Sequence, residues 1–291
     1  MHLPKFKEYL AIECHYSNHT VVAYMTDLKE FQEFLIEKDL CSVQKKDIKN
    51  FLAKMLSANL SERSINRKLS AIRSFYNFLL ITNTITASPV QGIKSLKFYK
   101  KAQIPYSKQE MSNVLDENVY PETFSGIRDR AIIEMLYMTG IRKSELIDLK
   151  PADINLGKKE IKVLGKGNKE RIIPINDRLV QSLKVYNEAV ASQGVKQVAT
   201  YFFSPRHKRL NPKFVYNMVN SYLSMVTEKQ KKSPHMIRHT FASHLLQNGA
   251  EINSVKEILG HANLSATQIY THQDIEQLKK VFNMAHPRES K

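Results

Sequence analysis

Cysteine is scarce in this chain, whose 291 residues include only Cys14 and Cys41. Two cysteines so placed give neither a disulfide framework nor a paired CxxC metal site, so we expect a reducing compartment. No stretch approaches ~18 uninterrupted apolar residues, and the opening MHLPKFKEYL has no apolar signal-peptide core. We therefore expect no membrane span, no membrane partner and a cytoplasmic location.

Acidic residues are also outnumbered, with 28 Asp and Glu against 44 Lys and Arg, a net charge of +16. Lys and Arg on phosphates supply the main sequence-independent affinity for nucleic acid, so a polyanion is the expected partner. A merely basic protein would carry the same charge, and this alternative stays open on charge alone. The 42% hydrophobic content indicates a folded protein, and the length favours two domains.

Glycine and proline are nearly absent between Phe6 and about Thr82, where apolar residues recur three or four apart. This pattern predicts three or four helices. Ser17, Ser42 and Ser61 are the candidate first residues of three of them. The Ser17 helix has the apolar stripe Val21, Tyr24, Leu28, Phe31 and Leu35, and the Ser61 helix has Ile65, Leu69, Ile72, Tyr76 and Leu79.

The Ser61 helix also carries four cations, Arg63, Arg67, Lys68 and Arg73, most of them off its apolar stripe. We expect them to point outward and to lie on phosphates. A solvated basic face is the alternative.

The periodicity fails between Thr82 and Pro105, where SPVQGIKSLKFYKKAQIP collects two prolines, a glycine and four lysines. We interpret this stretch as an interdomain linker. The boundaries that we predict are a first domain at 1–98, a linker at 99–105 and a second domain at 106–291. A basic linker suits a clamp around a duplex, although a plain hinge would look the same.

The second domain opens with Ser107 and Glu110 in the S-x-x-E pattern of a capping box. A helix at about 125–137 should end at Gly140, and a short one at about 142–149 should stop at Pro151. Alternation on both sides of GKGNK predicts a hairpin of 161–164 with 171–175, and Lys166 lies in its turn.

SPHMIRHTFASHLLQNG is a complete helix pattern, with Ser233 as cap, Pro234 in the first turn and Gly249 at the exit. A helix at 252–259 should end at Gly260, and a short one should follow at 264–270. The predicted fold class is mainly α with a small β-sheet.

His235 and Arg238 lie three apart near the start of this capped helix, where free N–H groups and the dipole attract anions. They predict a phosphate site. His239 lies four after His235, but a zinc-binding HExxH helix would need Glu where Met236 stands. We therefore expect no metal.

Other candidate residues lie at element ends. Arg142 follows Gly140 closely, and Glu145 is on the same helical face, where it can hold the guanidinium; an exposed ion pair is the alternative. His261 follows Gly260, and Tyr270 comes nine residues later. A phenol, with a pKa near 10, needs a strongly electropositive site to act as a nucleophile.

Four segments stand in the order TGIRKSEL, GKGNKER, HMIRHTFASHLL and LGHANLSATQIYTH. Together they strongly resemble the successive boxes of the tyrosine recombinase (phage integrase) family. NRKLSAIRSFYNFLL is similar to that family's helical core-binding domain. The resemblance implies an N-terminal helical SAM-like core-binding domain, an α+β catalytic domain, and site-specific cutting and rejoining of DNA.

The resemblance also implies roles. Tyr270 would be the nucleophile that forms a 3′-phosphotyrosine, Lys166 the general acid, and Arg142 and Arg238 the clamps on the scissile phosphate. His235 and His261 would assist, and Glu145 would orient Arg142. No metal or other cofactor is required, because the arginines supply the positive charge. Lys143, where relatives often carry an apolar residue, is a small departure.

Within the family the chain is similar to the bacterial Xer recombinases. This similarity implies as partners a double-stranded DNA recombination site, a tetramer with itself or a paralogous recombinase, and a DNA translocase, with chromosome-dimer resolution as the task. An amphipathic helix at about 274–284 should dock on a neighbouring subunit. The alternatives are an inactive DNA-binding protein of this fold, a mobile-element integrase and a type IB topoisomerase.

Overall fold

The chain folds into two compact units, and the second begins at Gln103. The structure is a computed structural model that describes residues 2–36, 38–98, 103–165, 170–194 and 198–260. No helix within these residues is both long and apolar enough to cross a membrane.

The first unit contains four α-helices within its described residues. They are α1 (His2–Ile12), α2 (Asn18–Phe34), α3 (Lys45–Ser57) and α4 (Glu62–Ile81). The side chains of Ser17 and Ser61 accept hydrogen bonds from the first turns of α2 and α4, so both caps are confirmed. The five residues of the predicted α4 stripe are all buried.

Ser42 does not begin α3, which corrects one prediction. Ser42 is the last residue of a short 3-10 helix, Leu40–Ser42, and its hydroxyl donates to the Asp39 carbonyl. The cap of α3 is Gln44, whose backbone N–H donates to the first-turn carboxylate of Asp47 at 2.8 Å. A capping box thus places the start of α3 two residues further on than the serine signal indicated.

The expectation that Lys68 points outward is wrong. Lys68 is 5% exposed, and its ammonium pairs with Asp27 at 3.1 Å and with Glu30, both on α2. The reason is helical spacing, because Lys68 lies three after Ile65 and four before Ile72 and so shares their buried face. Arg67 is exposed and pairs with the same Asp27.

The first part of the stretch that we interpreted as a linker, residues 88–98, packs in the first unit. Val90 and Ile93 are buried in its core. Arg73 donates to the Ile93 carbonyl, and the side chain of Asn66 exchanges two 2.8 Å hydrogen bonds with the backbone of Leu96. The failed periodicity therefore marked an ordered loop that packs on α4.

The second unit combines helices with one three-stranded antiparallel sheet, whose strands lie side by side in sequence order. Its helices are α5 (Lys108–Val114), α6 (Phe124–Thr139), α7 (Lys143–Asp148), α8 (Asp177–Ser192), α9 (Pro212–Val226), α10 (Pro234–Gln247) and α11 (Ile252–Leu259). The strands are β1 (Ile154–Asn155), β2 (Glu160–Leu164) and β3 (Glu170–Pro174). The predicted pairing of the hairpin strands and the fold class, mainly α with a small sheet, are confirmed.

Helix α6 is the centre of this unit, because twelve of its 16 residues are buried. It packs against α8 and α10, and it ends at Gly140 in the left-handed conformation, as predicted. The capping box of Ser107 and Glu110 and the Ser233 cap of α10 are also confirmed. These caps fix where α5 and α10 begin and where α6 ends.

The buried ion pair of the first unit gives a stability prediction. Asp27→Ala removes a carboxylate that is 1% exposed and leaves the buried Lys68 ammonium with Glu30, whose side chain is partly in solvent, so the free energy of unfolding should fall by about 3 kcal/mol. Glu30→Ala is the matched control, since Glu30 is 42% exposed and its loss should cost about 1 kcal/mol or less. Urea unfolding followed by circular dichroism measures both, and equal losses would contradict the assignment of Asp27 as the main partner.

Candidate active site

Arg238 joins the ends of two helices. It lies on α10, is 7% exposed, and donates from Nη1 to the Gly140 carbonyl at 2.5 Å and from Nη2 to the Leu259 carbonyl at 2.6 Å. Helix α10 can present it there because Ser233 and Pro234 begin the helix one turn earlier. The guanidinium thus bridges the C-terminal ends of α6 and α11.

Arg142 is held by Glu145, as predicted. Glu145 accepts from the Arg142 backbone N–H at 2.9 Å and from its Nη1 at 2.8 Å, so α7 begins with a capping box that also orients the guanidinium. The Glu145 side chain is 5% exposed and that of Arg142 is 35% exposed. This pairing is therefore not the exposed ion pair of the alternative interpretation, and Arg142 is the accessible member.

Arg171 is the residue that sequence reasoning missed. It lies on β3, its side chain is 5% exposed, and it donates to both carboxylate oxygens of Glu145, at 2.9 and 2.8 Å. The alternation of the strand could have indicated that Arg171 is buried. Arg171 pairs with buried Val163 and lies two residues before buried Ile173. An arginine on the buried face of a strand needs a carboxylate partner.

Three consecutive carbonyls at the end of α11 each bind a different arginine. Ile258 accepts from Arg171 Nε at 2.9 Å, Leu259 from Arg238, and Gly260 from Arg142 Nη2 at 2.8 Å. The last carbonyls of a helix have no partner inside the helix and lie at the negative end of its dipole. We call these three acceptors the α11 carbonyl set; it gathers three guanidiniums at one place.

The electrostatics of this arrangement suit a phosphate. Three guanidiniums face one carboxylate, and Arg142 is partly accessible. Burial would raise the pKa of Glu145, but hydrogen bonds from Arg171 and Arg142 lower it to about 2, so the carboxylate stays ionised. Burial and the neighbouring Arg142 and Arg171 lower the pKa of Arg238 to about 9, so it remains charged at neutral pH. The surplus of positive charge favours an anion that accepts several hydrogen bonds.

The predicted site residues fall into two groups. Arg142, Glu145 and Arg238 converge on the α11 carbonyl set, and His235 is exposed on the first turn of α10. Lys166, His261 and Tyr270 lie outside the described residues, as do the segments 264–270 and 274–284. In sequence, His261 follows Gly260 directly.

A metal centre has no support in the part of the chain that the structure describes. No three His, Cys, Asp or Glu side chains cluster there in a way that could hold an ion. His239, the other histidine near His235, has Nε2 3.2 Å from the Gln103 carbonyl oxygen, and Met236 between them is buried. His239 therefore serves the packing of α10 against the start of the second unit.

Comparison with known proteins agrees with this geometry. The sequence model of the phage integrase family matches residues 107–277, and that of the phage integrase N-terminal SAM-like domain matches residues 3–82. The chain belongs to the phage integrase family. As a member of that family it is a tyrosine-type site-specific DNA recombinase.

Two curated relatives of this phage integrase family member match almost end to end. Tyrosine recombinase XerC of Chlorobaculum tepidum is 36% identical, over 98% of this chain and 94% of the relative. Tyrosine recombinase XerD of Staphylococcus haemolyticus is 34% identical, over 98% of both chains. A crystal structure of XerH site-specific recombinase bound to palindromic difH substrate superposes with a TM-score of 0.72 at 23% identity, over 89% of this chain and 78% of that one, which shows the shared fold.

The ionised state of Glu145 gives a pH prediction. Its pKa is lowered from 4.5 to about 2 on folding, so its contribution to stability is present above pH 4.5 and is lost as pH falls toward 2. The stability difference between the native chain and Glu145→Gln should therefore shrink by about 3 kcal/mol from pH 5 to pH 2. Urea unfolding at a series of pH values measures it.

Asp148→Asn is the control for this series, because Asp148 and Arg209 form an exposed ion pair of small energetic weight. Curves for the native chain and Glu145→Gln that stay parallel down to pH 2 would show that Glu145 is not held ionised by the arginines.

Proposed function

We propose that the chain cuts and rejoins double-stranded DNA at a specific site through a covalent bond between Tyr270 and the 3′-phosphate. The observation that carries this proposal is the convergence of Arg142 and Arg238 on the α11 carbonyl set. Two guanidiniums fixed side by side match the two non-bridging oxygens of a phosphodiester. The chain continues from that point to His261 and Tyr270.

The proposed cleavage is a transesterification. The Tyr270 oxygen attacks phosphorus, a P–O bond to tyrosine forms, and the P–O bond to the 5′-oxygen breaks. His235 accepts the phenol proton, and Lys166 donates a proton to the leaving 5′-oxygen. Arg142 and Arg238 stabilise the charge of the pentavalent transition state, and His261 donates a hydrogen bond to the phosphate. Rejoining is the same step reversed with a different 5′-hydroxyl.

The arginines have donors to spare for this task. A guanidinium has five N–H groups. Arg142 uses Nη1 on Glu145 and Nη2 on Gly260, and Arg238 uses Nη1 and Nη2 on two carbonyls. These bonds fix each plane in advance, so little reorganisation accompanies the reaction.

The domain roles follow the same proposal. The first domain, 1–98, binds DNA through Arg63, Arg67 and Arg73; Lys68 has its charge satisfied inside the unit. Residues 99–105 link it to the catalytic domain, 106–291, whose helix at 274–284 docks on a neighbouring recombinase. We propose a tetramer with itself or a paralogous recombinase, helped by a DNA translocase, that acts in the cytoplasm.

The biological task that we propose is chromosome-dimer resolution. It is supported by the relatives named XerC and XerD, which match nearly the full length. The ending YTHQDIEQLKKVFNMAHPRESK looks closer to XerC than to XerD. A bound genomic site next to the replication terminus would support the task, and a site at the ends of a mobile element would replace it.

The nucleophile assignment predicts that Tyr270→Phe abolishes covalent protein–DNA adduct and leaves DNA affinity nearly unchanged, because one hydroxyl is lost. Arg142→Ala should lower the cleavage rate by ~10²–10³-fold with a much smaller loss of affinity, since its charge matters most in the transition state. Denaturing electrophoresis after incubation with site-bearing DNA measures the adduct. Adduct in Tyr270→Phe would point to another nucleophile, and no adduct with the native chain would favour a DNA-binding protein without chemistry.

The DNA-binding assignment predicts a salt effect. Replacing Arg63, Arg67 or Arg73 by Ala should lower the slope of log affinity against log salt by about one unit for each side chain that touches phosphate. Filter binding or fluorescence anisotropy across a salt series measures the slope. An unchanged slope after all three replacements would restore the interpretation as a solvated basic face.

A further inference from the structure

We propose that Arg171 is a positioning residue for DNA cleavage, which acts through Glu145 on Arg142 and through the Ile258 carbonyl on the end of α11. This inference rests on the proposed function, in which Arg142 binds the scissile phosphate. It adds Arg171 to Arg142, Glu145 and Arg238 as a residue of the site, and the family resemblance implied no role for it.

The first step is the pair of hydrogen bonds by which Arg171 fixes the Glu145 carboxylate. Arg171 donates to both oxygens of this carboxylate, and Oε1 is shared with Arg142 Nη1 at 2.8 Å. Two parallel N–H bonds fix the plane of a carboxylate as well as its position. Arg142 is 35% exposed, and its guanidinium is held by two bonds, one to Glu145 and one to the Gly260 carbonyl, so the orientation of Glu145 helps to set where the guanidinium points.

The second step is the charge state of Glu145. Its side chain is 5% exposed, and burial alone would favour the protonated acid. A protonated carboxyl donates with one oxygen and loses its charge-assisted bond to Arg142. Arg171 therefore keeps Glu145 in the form that binds Arg142.

The third step is the contact with α11. Arg171 Nε donates to the Ile258 carbonyl at 2.9 Å, and a Cβ on Gly260 would lie 3.0 Å from Arg171 Cδ. The stem of Arg171 therefore packs directly under the last turn of α11, where Leu259 and Gly260 bind Arg238 and Arg142. Its position therefore bears on where that turn ends.

The fourth step is its place in the hairpin. Arg171 is the second residue of β3 and pairs with Val163 of β2, and the residues between these strands include Lys166. One side chain thus connects the hairpin of Lys166, the helix of Arg142 and the helix end before His261. A displacement of one of these elements by about 1 Å is enough to lower a rate by about 100-fold.

Lysine cannot replace this arginine. The contacts require three nitrogens in one plane, two toward Glu145 and one toward Ile258. Lysine keeps the positive charge but offers a single nitrogen. Arg171→Lys therefore separates geometry from charge.

The test measures single-turnover formation of covalent adduct by the full chain at saturating protein, on a nicked duplex that traps the cleaved state. Arg171→Lys should cleave roughly 10–100-fold more slowly, with DNA affinity within about twofold of the native value. The matched control is Arg128→Lys. Arg128 is also a buried arginine of this unit, 2% exposed, bonded through Nε and Nη2 to Asp129 and through Nη1 to the Phe203 carbonyl.

A double-mutant cycle with Arg142→Ala decides whether Arg171 acts through Arg142. We expect Arg171→Lys to add little to the defect of Arg142→Ala, because the residue that it positions is already gone. Multiplied defects would overturn the inference, as would normal cleavage by Arg171→Lys or an equal slowing by Arg128→Lys, which would indicate a role in stability alone.

One further variant keeps these outcomes distinct. If Arg171→Lys does not fold, Glu145→Gln is measured in the same cycle, since it removes the charge that Arg171 holds while keeping the side-chain size. Normal cleavage by Arg142→Ala would overturn the proposed function itself. A defect in Arg142→Ala together with normal cleavage by both Arg171→Lys and Glu145→Gln would overturn only the positioning role.

Discussion

The last turn of α11 is the constraint on which the candidate site depends. Its three final carbonyls, which in most helices bind water or a capping residue, each bind a guanidinium. Three cations gathered in a partly buried place would repel each other strongly. The negative end of the helix dipole and the single carboxylate of Glu145 offset that repulsion. The geometry of the site is therefore set by where this helix ends.

Two glycines make those helix ends possible. Gly140 and Gly260 both have left-handed backbone conformations, with φ of 60° and 63°, and the carbonyl of each accepts from an arginine. At Gly140 an added Cβ would lie 2.4 Å from a ring carbon of Phe241, so no other residue fits without moving α10. The same backbone feature that stops each helix thus turns its carbonyl toward the site.

Local signals in the sequence were enough for much of this structure. The caps at Ser17, Ser61, Ser107 and Ser233 and the stops at Gly140 and Gly260 depend on residues within one turn, and the hairpin depends on alternation; all are confirmed. Arg142 and Glu145 are three apart, so their pairing was also predictable.

What could not be predicted from the sequence involves partners far apart in the chain. Arg171 pairs with Glu145, which lies 26 residues away in the sequence, and Lys68 pairs with Asp27, which lies 41 residues away. Which carboxylate lies opposite a buried cation is decided by tertiary packing and not by the spacing of either residue's neighbours. The packing of the 88–98 segment depends on distant partners too, because its Val90 and Ile93 are buried in a core formed with residues that lie earlier in the chain.

The ion pairs of Lys68 change the electrostatic potential that the first unit presents to a distant polyanion. Arg67 and Lys68 face Asp27 and Glu30, so these four side chains contribute no net charge together. A row of four cations in the sequence therefore generates a potential closer to that of Arg63 and Arg73 alone. Long-range steering depends on that summed potential, whereas contact depends on individual side chains. The cations of α4 therefore add less to the long-range potential of the first unit than their number in the sequence suggests.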